Sequence, residues 1–156
     1  MKEQPSSSPC LFKEPNLPLI LFAEDDDEDW LLIEEALIDC GVVLQAERVH
    51  DGIELLARLR RGPDPALIML DLRMPKKDGS EVLREIRQDE HLRFLPVVIM
   101  TTSKLDLDIF RSYCDGANSY VVKPVTFDLM AKALQELHHY WTNVVQLPKR
   151  PRIPPA

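Results

Sequence analysis

The run Leu67-Ile68-Met69-Leu70, ended at once by Asp71, decides the fold. Four consecutive apolar residues with no polar alternation predict a strand covered on both faces, as in a parallel sheet packed between helices. Leu19-Ile20-Leu21-Phe22-Ala23 and Pro96-Val97-Val98-Ile99-Met100 repeat the pattern, and residues 45–50 and 119–122 are further strand candidates. Each run precedes apolar residues spaced three and four apart. These are Trp30, Ile33 and Leu37; Ile53, Leu56 and Leu59; Val82, Leu83 and Ile86; Leu105, Ile109 and Tyr113; and Phe127, Met130, Leu134 and Leu137. Such spacing predicts helices with one covered face. Gly41, Gly62 and Gly116 fall just past expected helices, where a left-handed cap needs no Cβ. Gly52 and Gly79 follow Asp at expected helix starts, and Ser103 with Asp106 has the spacing of a capping box opening the fourth helix. Five alternating strand–helix units predict an α/β fold, a (βα)5 doubly wound open parallel sheet with right-handed crossovers.

Prolines mark the edges of this pattern. Pro5, Pro9, Pro15 and Pro18 crowd the start, around Ser6-Ser7-Ser8, and Pro148, Pro151, Pro154 and Pro155 crowd the end. Residues 1–17 and 148–156 are therefore expected to be extended tails around a folded unit of 18–147, dispensable for the chemistry below. Of 156 residues 45% are apolar and 29% charged, ordinary globular usage. No apolar run is long enough to span a membrane, and the N-terminus has no apolar signal core, so a cytoplasmic location is expected. A net charge of −7 argues against direct nucleic-acid binding. Cys10, Cys40 and Cys114 are too few and too scattered for a disulfide framework or a zinc site.

Ligands of open parallel sheets bind beyond the carboxyl ends of the strands. The first strand ends in Glu24-Asp25-Asp26-Asp27-Glu28-Asp29, the third in Asp71, the fourth in Thr101 and the fifth in Lys123. All of these positions fall on one edge of the sheet. Clustered carboxylates repel without a cation, and hard oxygen donors in an open site suit Mg²⁺. The metal would let an anionic phosphoryl donor approach Asp71, with Lys123 and the Thr101 hydroxyl holding phosphoryl oxygens. Each piece has a plainer reading: an acidic run is also an ordinary solvated helix start, and Asp71-Leu72-Arg73-Met74-Pro75 could be a turn. The conjunction on one edge favours a metal-assisted aspartyl-phosphate site.

At these residues the sequence resembles the receiver domains of two-component response regulators, the flavodoxin-like, CheY-like family. Glu24-Asp25-Asp26, Asp71-Leu72-Arg73-Met74-Pro75-Lys76-Lys77-Asp78-Gly79, Thr101, Tyr120 and Lys123-Pro124 carry the resemblance, over roughly 17–147. It implies Asp71 as phosphoacceptor and Glu24, Asp25, Asp71 and the Arg73 backbone carbonyl around Mg²⁺. It further implies Lys123 on the phosphoryl group, a cis Lys123–Pro124 bond, and Thr101 with Tyr120 as the switch pair. Two departures stand out. Glu24 replaces the family's more common Asp, and Arg73 and Ser103 occupy positions that tune dephosphorylation. The resemblance implies a signalling protein that catalyses only its own phosphorylation and dephosphorylation, and, with the folded unit ending near residue 147 before a short tail, a stand-alone receiver with no output domain is expected.

Thr101-Thr102-Ser103, Tyr113, Tyr140-Trp141 and Leu147-Pro148 resemble the single-domain regulators that partner phytochrome-type histidine kinases. In the last helix Leu129, Ala133 and Tyr140 add a second apolar strip beside Phe127, Met130, Leu134, Leu137, Trp141 and Val144. The surplus, with the family's habit of pairing through the fourth helix, fifth strand and fifth helix, leads us to expect a homodimer. Trp30 is open to two readings, core or kinase contact. Three rivals complete the field. A haloacid-dehalogenase-like phosphatase needs an Asp two residues after the nucleophile, where Arg73 stands. A degenerate receiver serving only as a scaffold is disfavoured by the presence of Asp71, Asp25, Thr101 and Lys123. No Gly-rich phosphate loop occurs for a nucleotide-binding reading.

Overall fold

In the computed structural model, which describes residues 17–151, strands and helices alternate. The strands are β1 (Leu19–Ala23), β2 (Gln45–Val49), β3 (Leu67–Leu70), β4 (Val97–Thr101) and β5 (Ser119–Val122). The helices are α1 (Asp27–Asp39), α2 (Gly52–Arg61), α3 (Gly79–Gln88), α4 (Asp106–Cys114) and α5 (Phe127–His139), followed by a π-helical turn over Tyr140–Val144. All strand pairs are parallel, in the order β2-β1-β3-β4-β5. This is the (βα)5 flavodoxin-like architecture expected from the apolar runs.

The pleat sorts each strand's residues between two cores. Leu21, Ala23, Ile68, Leu70, Val97 and Ile99 pack with α2 and α3, through Leu55, Leu56, Leu59, Val82, Leu83 and Ile86. The alternate residues Ile20, Phe22, Met69, Val98 and Met100 pack with α1 and α5, through Ile33, Leu37, Met130 and Leu134. Continuous apolar strands thus feed helices on both faces. Four helix starts are fixed by side chains. Asp26, Asp51, Asp78 and Thr126 each accept from a backbone N–H in the first turn, satisfying a donor that the helix itself leaves open.

Several local expectations are corrected. Ile53 is exposed, and Leu55 takes its place in the α2 stripe beside Leu56 and Leu59. Ser103 does not box with Asp106: its hydroxyl donates to Asp108, accepts from the Leu105 amide, and leaves α4 with no side-chain cap. The α4 stripe is not a core stripe either. Leu105, Leu107, Phe110 and Tyr113 are exposed, and Ser112 is the one buried residue of the helix. A three-and-four spacing marks a face without saying that anything covers it. The Lys123–Pro124 bond is trans, the favoured isomer, and its ammonium reaches its carboxylates that way; the cis X–Pro bond among the described residues is Gly62–Pro63.

Both ends of the described chain cross the sheet edge opposite Asp71. The Arg150 guanidinium makes two bonds to Asp64, at 3.0 and 3.1 Å, lies 5.2 Å over the Phe94 ring, and donates to the His91 carbonyl. The Leu17 carbonyl accepts from the Gln45 side-chain amide. Among the described residues, no helix is long and apolar enough to cross a membrane. Cys10 and most of the N-terminal prolines lie outside the described residues.

Candidate functional site

Three backbone hydrogen bonds carry the sheet ladder one step beyond its strands and set the site in a row. The Glu24 amide donates to Val49 (3.0 Å), the Asp71 amide to Ala23 (3.2 Å) and the Lys123 amide to Thr101 (2.7 Å). Glu24, Asp71 and Lys123 are therefore fixed at the backbone by the same pairing that makes the sheet. Gly79, at the first position of α3, lets that helix start directly against the end of β3. A Cβ there would overlap the Asp71 carbonyl oxygen.

The side chains converge on the Lys123 ammonium. Its Nζ lies 2.6 Å from Glu24 Oε2, 2.7 Å from Asp71 Oδ2 and 2.8 Å from Asp29 Oδ2. Glu24, Asp71 and Lys123 are buried, while the Asp29 side chain keeps 38% of its surface. Burial pushes the Glu24 carboxyl up to about 7, with the Asp71 charge adding to the rise and Lys123 opposing it. For Lys123, burial alone would favour the neutral amine. The bonds to Asp29, Asp71 and Glu24 outweigh it, and its pKa is raised.

Oxygens of Glu24, Asp25 and Asp71 lie within 4.8 Å of one another. Three carboxylates, Glu24, Asp29 and Asp71, thus contact one ammonium, and the exposed Asp25 opens the oxygen cluster to solvent. An all-oxygen donor set with an excess of negative charge fits a hard divalent cation such as Mg²⁺ or Mn²⁺. The Asp71 Oδ1 atom accepts from the Arg73 amide (3.2 Å), turning the chain after the strand beneath the carboxylate.

Thr101 closes β4 one residue beyond Met100 and is fully buried. Its hydroxyl has no hydrogen-bond partner among the described residues. An orphaned buried hydroxyl costs roughly 1–3 kcal/mol, and this one lies on the same edge of the sheet as Asp71 and Lys123. Tyr120 on β5 is half-buried against the α2–α3 core and donates its hydroxyl to the Ser103 carbonyl at 2.9 Å. That bond ties β5 to the loop that follows Thr101. Burial raises the Tyr120 pKa.

All the residues singled out from sequence therefore sit at the carboxyl edge of the sheet, with Tyr120 beside it rather than in the carboxylate pocket. Trp30 is partly buried, edge-on to Phe22 at 5.5 Å, with the Arg48 guanidinium 5.8 Å from its ring, which favours the core reading. Two contributors were not singled out. Asp29 was one acid among six, and Arg48, which donates to the Glu24 carbonyl (2.9 Å) and lies 2.8 Å from Asp27, comes from β2, whose residues are mixed polar and apolar rather than a continuous apolar run.

The profile of the "Response regulator receiver domain" family matches residues 20–135. The Synechocystis "Response regulator Rcp1" is 37% identical over 142 residues, covering 86% of this chain and 97% of that protein. The "Probable methanogenesis regulatory protein FilR2" of Methanothrix harundinacea is 39% identical over 128 residues, covering 79% and 83%. A crystal structure of the Mn²⁺-bound form of Rcp1 superposes with a TM-score of 0.77 at 36% identity, over 85% of this chain and 99% of that one. The phosphorylated cyanobacterial phytochrome response regulator RcpA superposes at 0.80 and 37% identity, with the same coverage.

Proposed function

The chain belongs to the response regulator receiver domain family, and from that premise we propose that it accepts a phosphoryl group on Asp71 from a phytochrome-type histidine kinase. An Asp71 carboxylate oxygen attacks phosphorus, the N–P bond of the kinase phosphohistidine breaks, and its electron pair returns to the imidazole. Glu24, Asp25, Asp71 and the Arg73 backbone carbonyl are the residues that would hold Mg²⁺. Bound there, the ion neutralises charge on both the carboxylate and the incoming phosphoryl oxygens. Lys123, 2.7 Å from Asp71 Oδ2, is poised to pass a hydrogen bond from the carboxylates to a phosphoryl oxygen.

The observation that carries the reading is the orphaned Thr101 hydroxyl beside a nucleophile already paired with a lysine. A phosphoryl oxygen would satisfy it. Thr101 moving toward that oxygen would shift the loop whose Ser103 carbonyl holds Tyr120, which is the route proposed from site to surface. The surface reached is α4, whose exposed Leu105, Leu107, Phe110 and Tyr113 support a homodimer through α4, β5 and α5. The net charge of −7 supports a protein partner rather than nucleic acid. A cytoplasmic location follows from the kinase partner. The phytochrome assignment draws on the likeness to RcpA and Rcp1.

Intact mass after incubation with acetyl phosphate, with and without Mg²⁺, tests the chemistry beside an Asp71→Asn control. One added phosphoryl group that needs Mg²⁺ and is absent from the control is expected. No adduct in the wild-type protein, with phosphoryl donor and Mg²⁺ both present, would leave the scaffold reading.

A further inference from the structure

We propose that Asp29 is a positioning residue acting through Lys123, holding the ammonium on the α1 side of the pocket so that Glu24 and Asp71 can ligate a divalent cation. The proposal rests on the receiver reading above and adds a residue to it. An ammonium has three hydrogens and no acceptor, and all three of Lys123's are placed, on Glu24, Asp71 and Asp29. Two of those acceptors, Glu24 and Asp71, belong to the oxygen cluster with Asp25. Lysine and cation therefore compete for the same two carboxylates. Asp29 stands outside that cluster.

The Lys123 side chain is only 5% exposed, so water cannot stand in for a lost partner. Without Asp29 the ammonium would draw its whole compensation from Glu24 and Asp71, and a cation would have to displace it from both. With Asp29 in place, one charge-assisted bond survives when the other two oxygens turn to the metal.

The two partners are held by elements far apart in the chain. Asp29 lies in the first turn of α1, where its amide donates to the Asp26 side chain at 2.9 Å and the helix dipole favours its charge. Lys123 is anchored by its amide on Thr101 at 2.7 Å. Neighbouring acids are placed otherwise: Asp26 caps the helix, Asp27 meets Arg48, and Glu28 is exposed. Position rather than charge sets Asp29 apart, so Glu28→Gln removes the same charge without the contact.

Mn²⁺ binding to the full chain, followed by the electron paramagnetic resonance signal of the free ion, separates the two. Asp29→Asn is expected to weaken Mn²⁺ binding about fivefold or more, Asp29→Glu to recover most of it, and Glu28→Gln to change it by less than about twofold at physiological salt. In a Lys123→Met background the effect of Asp29→Asn should shrink to that of Glu28→Gln. Because Asp29 is partly exposed, its variants should keep the wild-type circular dichroism spectrum, so that Mn²⁺ binding is compared between folded proteins. Equal effects of Asp29→Asn and Glu28→Gln in the wild-type background would overturn the proposal, as would an Asp29→Asn effect undiminished in Lys123→Met. A wild-type protein that binds no Mn²⁺ and takes no phosphoryl group would instead overturn the receiver reading beneath it.

Discussion

Gly79→Ala adds a single methyl group, yet it should be among the most damaging small changes available to this chain. The new Cβ would overlap the Asp71 carbonyl oxygen and lie 2.8 Å from Leu72 Cα and 2.9 Å from the Asp71 carbonyl carbon. All three are backbone atoms at the end of β3, so no rotamer change relieves the clash. The start of α3 must back away by on the order of 1 Å, because close-packed interiors transmit such strain rather than absorb it. That movement stretches the 2.8 Å bond from the Gly79 amide to Leu72 and loosens Val82, Leu83 and Ile86, all fully buried. Overpacking costs about 1–3 kcal/mol and a weakened buried hydrogen bond about 1 more. A total near 3 kcal/mol lowers the melting temperature of a domain this size by roughly 6–12 °C. Urea and thermal unfolding followed by circular dichroism read this directly, with Gly41→Ala as the comparison. Gly41 has φ +65° with nothing within 4 Å of an added methyl, so strain alone applies there and the loss should be about 1 kcal/mol. The same shift moves the Asp71 backbone, so phosphorylation by acetyl phosphate should slow in parallel. A Gly79→Ala protein melting within about 2 °C of wild type would refute the close-approach argument.

Thr101→Val removes an orphaned buried hydroxyl at constant shape, so the unphosphorylated protein should gain about 1 kcal/mol in urea unfolding while its phosphorylation-driven response weakens; a loss of stability would show that the hydroxyl is satisfied. Arg58 is buried, with two bonds to Glu47 (2.6 and 3.0 Å) and one to the Pro63 carbonyl (3.0 Å). Arg58→Ala leaves those acceptors unpaired and should cost about 3 kcal/mol by the same assay. Glu24, pushed up to about 7 from 4.5, binds its proton more tightly in the folded chain than in the unfolded one. In metal-free protein its contribution to stability is therefore full at low pH and lost as pH rises through about 7. A cation must displace that proton, so Mn²⁺ binding should weaken about tenfold from pH 8 to pH 6, measured by titration at each pH; a flat profile would contradict the assignment.

β1, β3 and β4 were readable because burial on both faces erases polar alternation, and their ends were readable because a carboxylate or a hydroxyl closes each run. Glu24, Asp71, Thr101 and Lys123 each follow or close an apolar run. Asp29 was not legible for a physical reason. Six consecutive acids at a helix start look alike, and only the phase of α1 relative to β5 selects the one that meets Lys123. The exposure of α4 was hidden for a related reason, since Leu105, Ile109 and Tyr113 have the spacing of a covered face while the covering partner, if another chain, writes nothing into this one. The Ser103–Asp108 pairing departs from the expected box because the loop after Thr101 is pinned by Tyr120, a contact 17 residues away.

Lys123 joins Asp71 across 52 residues and Asp29 across 94. During synthesis every carboxylate of the pocket leaves the ribosome well before the one cation that balances them. Until the edge strand β5 docks, Glu24, Asp29 and Asp71 lack the ammonium that contacts all three, and the pocket lacks the lysine proposed to hold a phosphoryl oxygen. On the proposed reading, a copy that stops short of residue 123 would compete poorly for a phosphoryl group, and the last strand acts as its own proof of assembly.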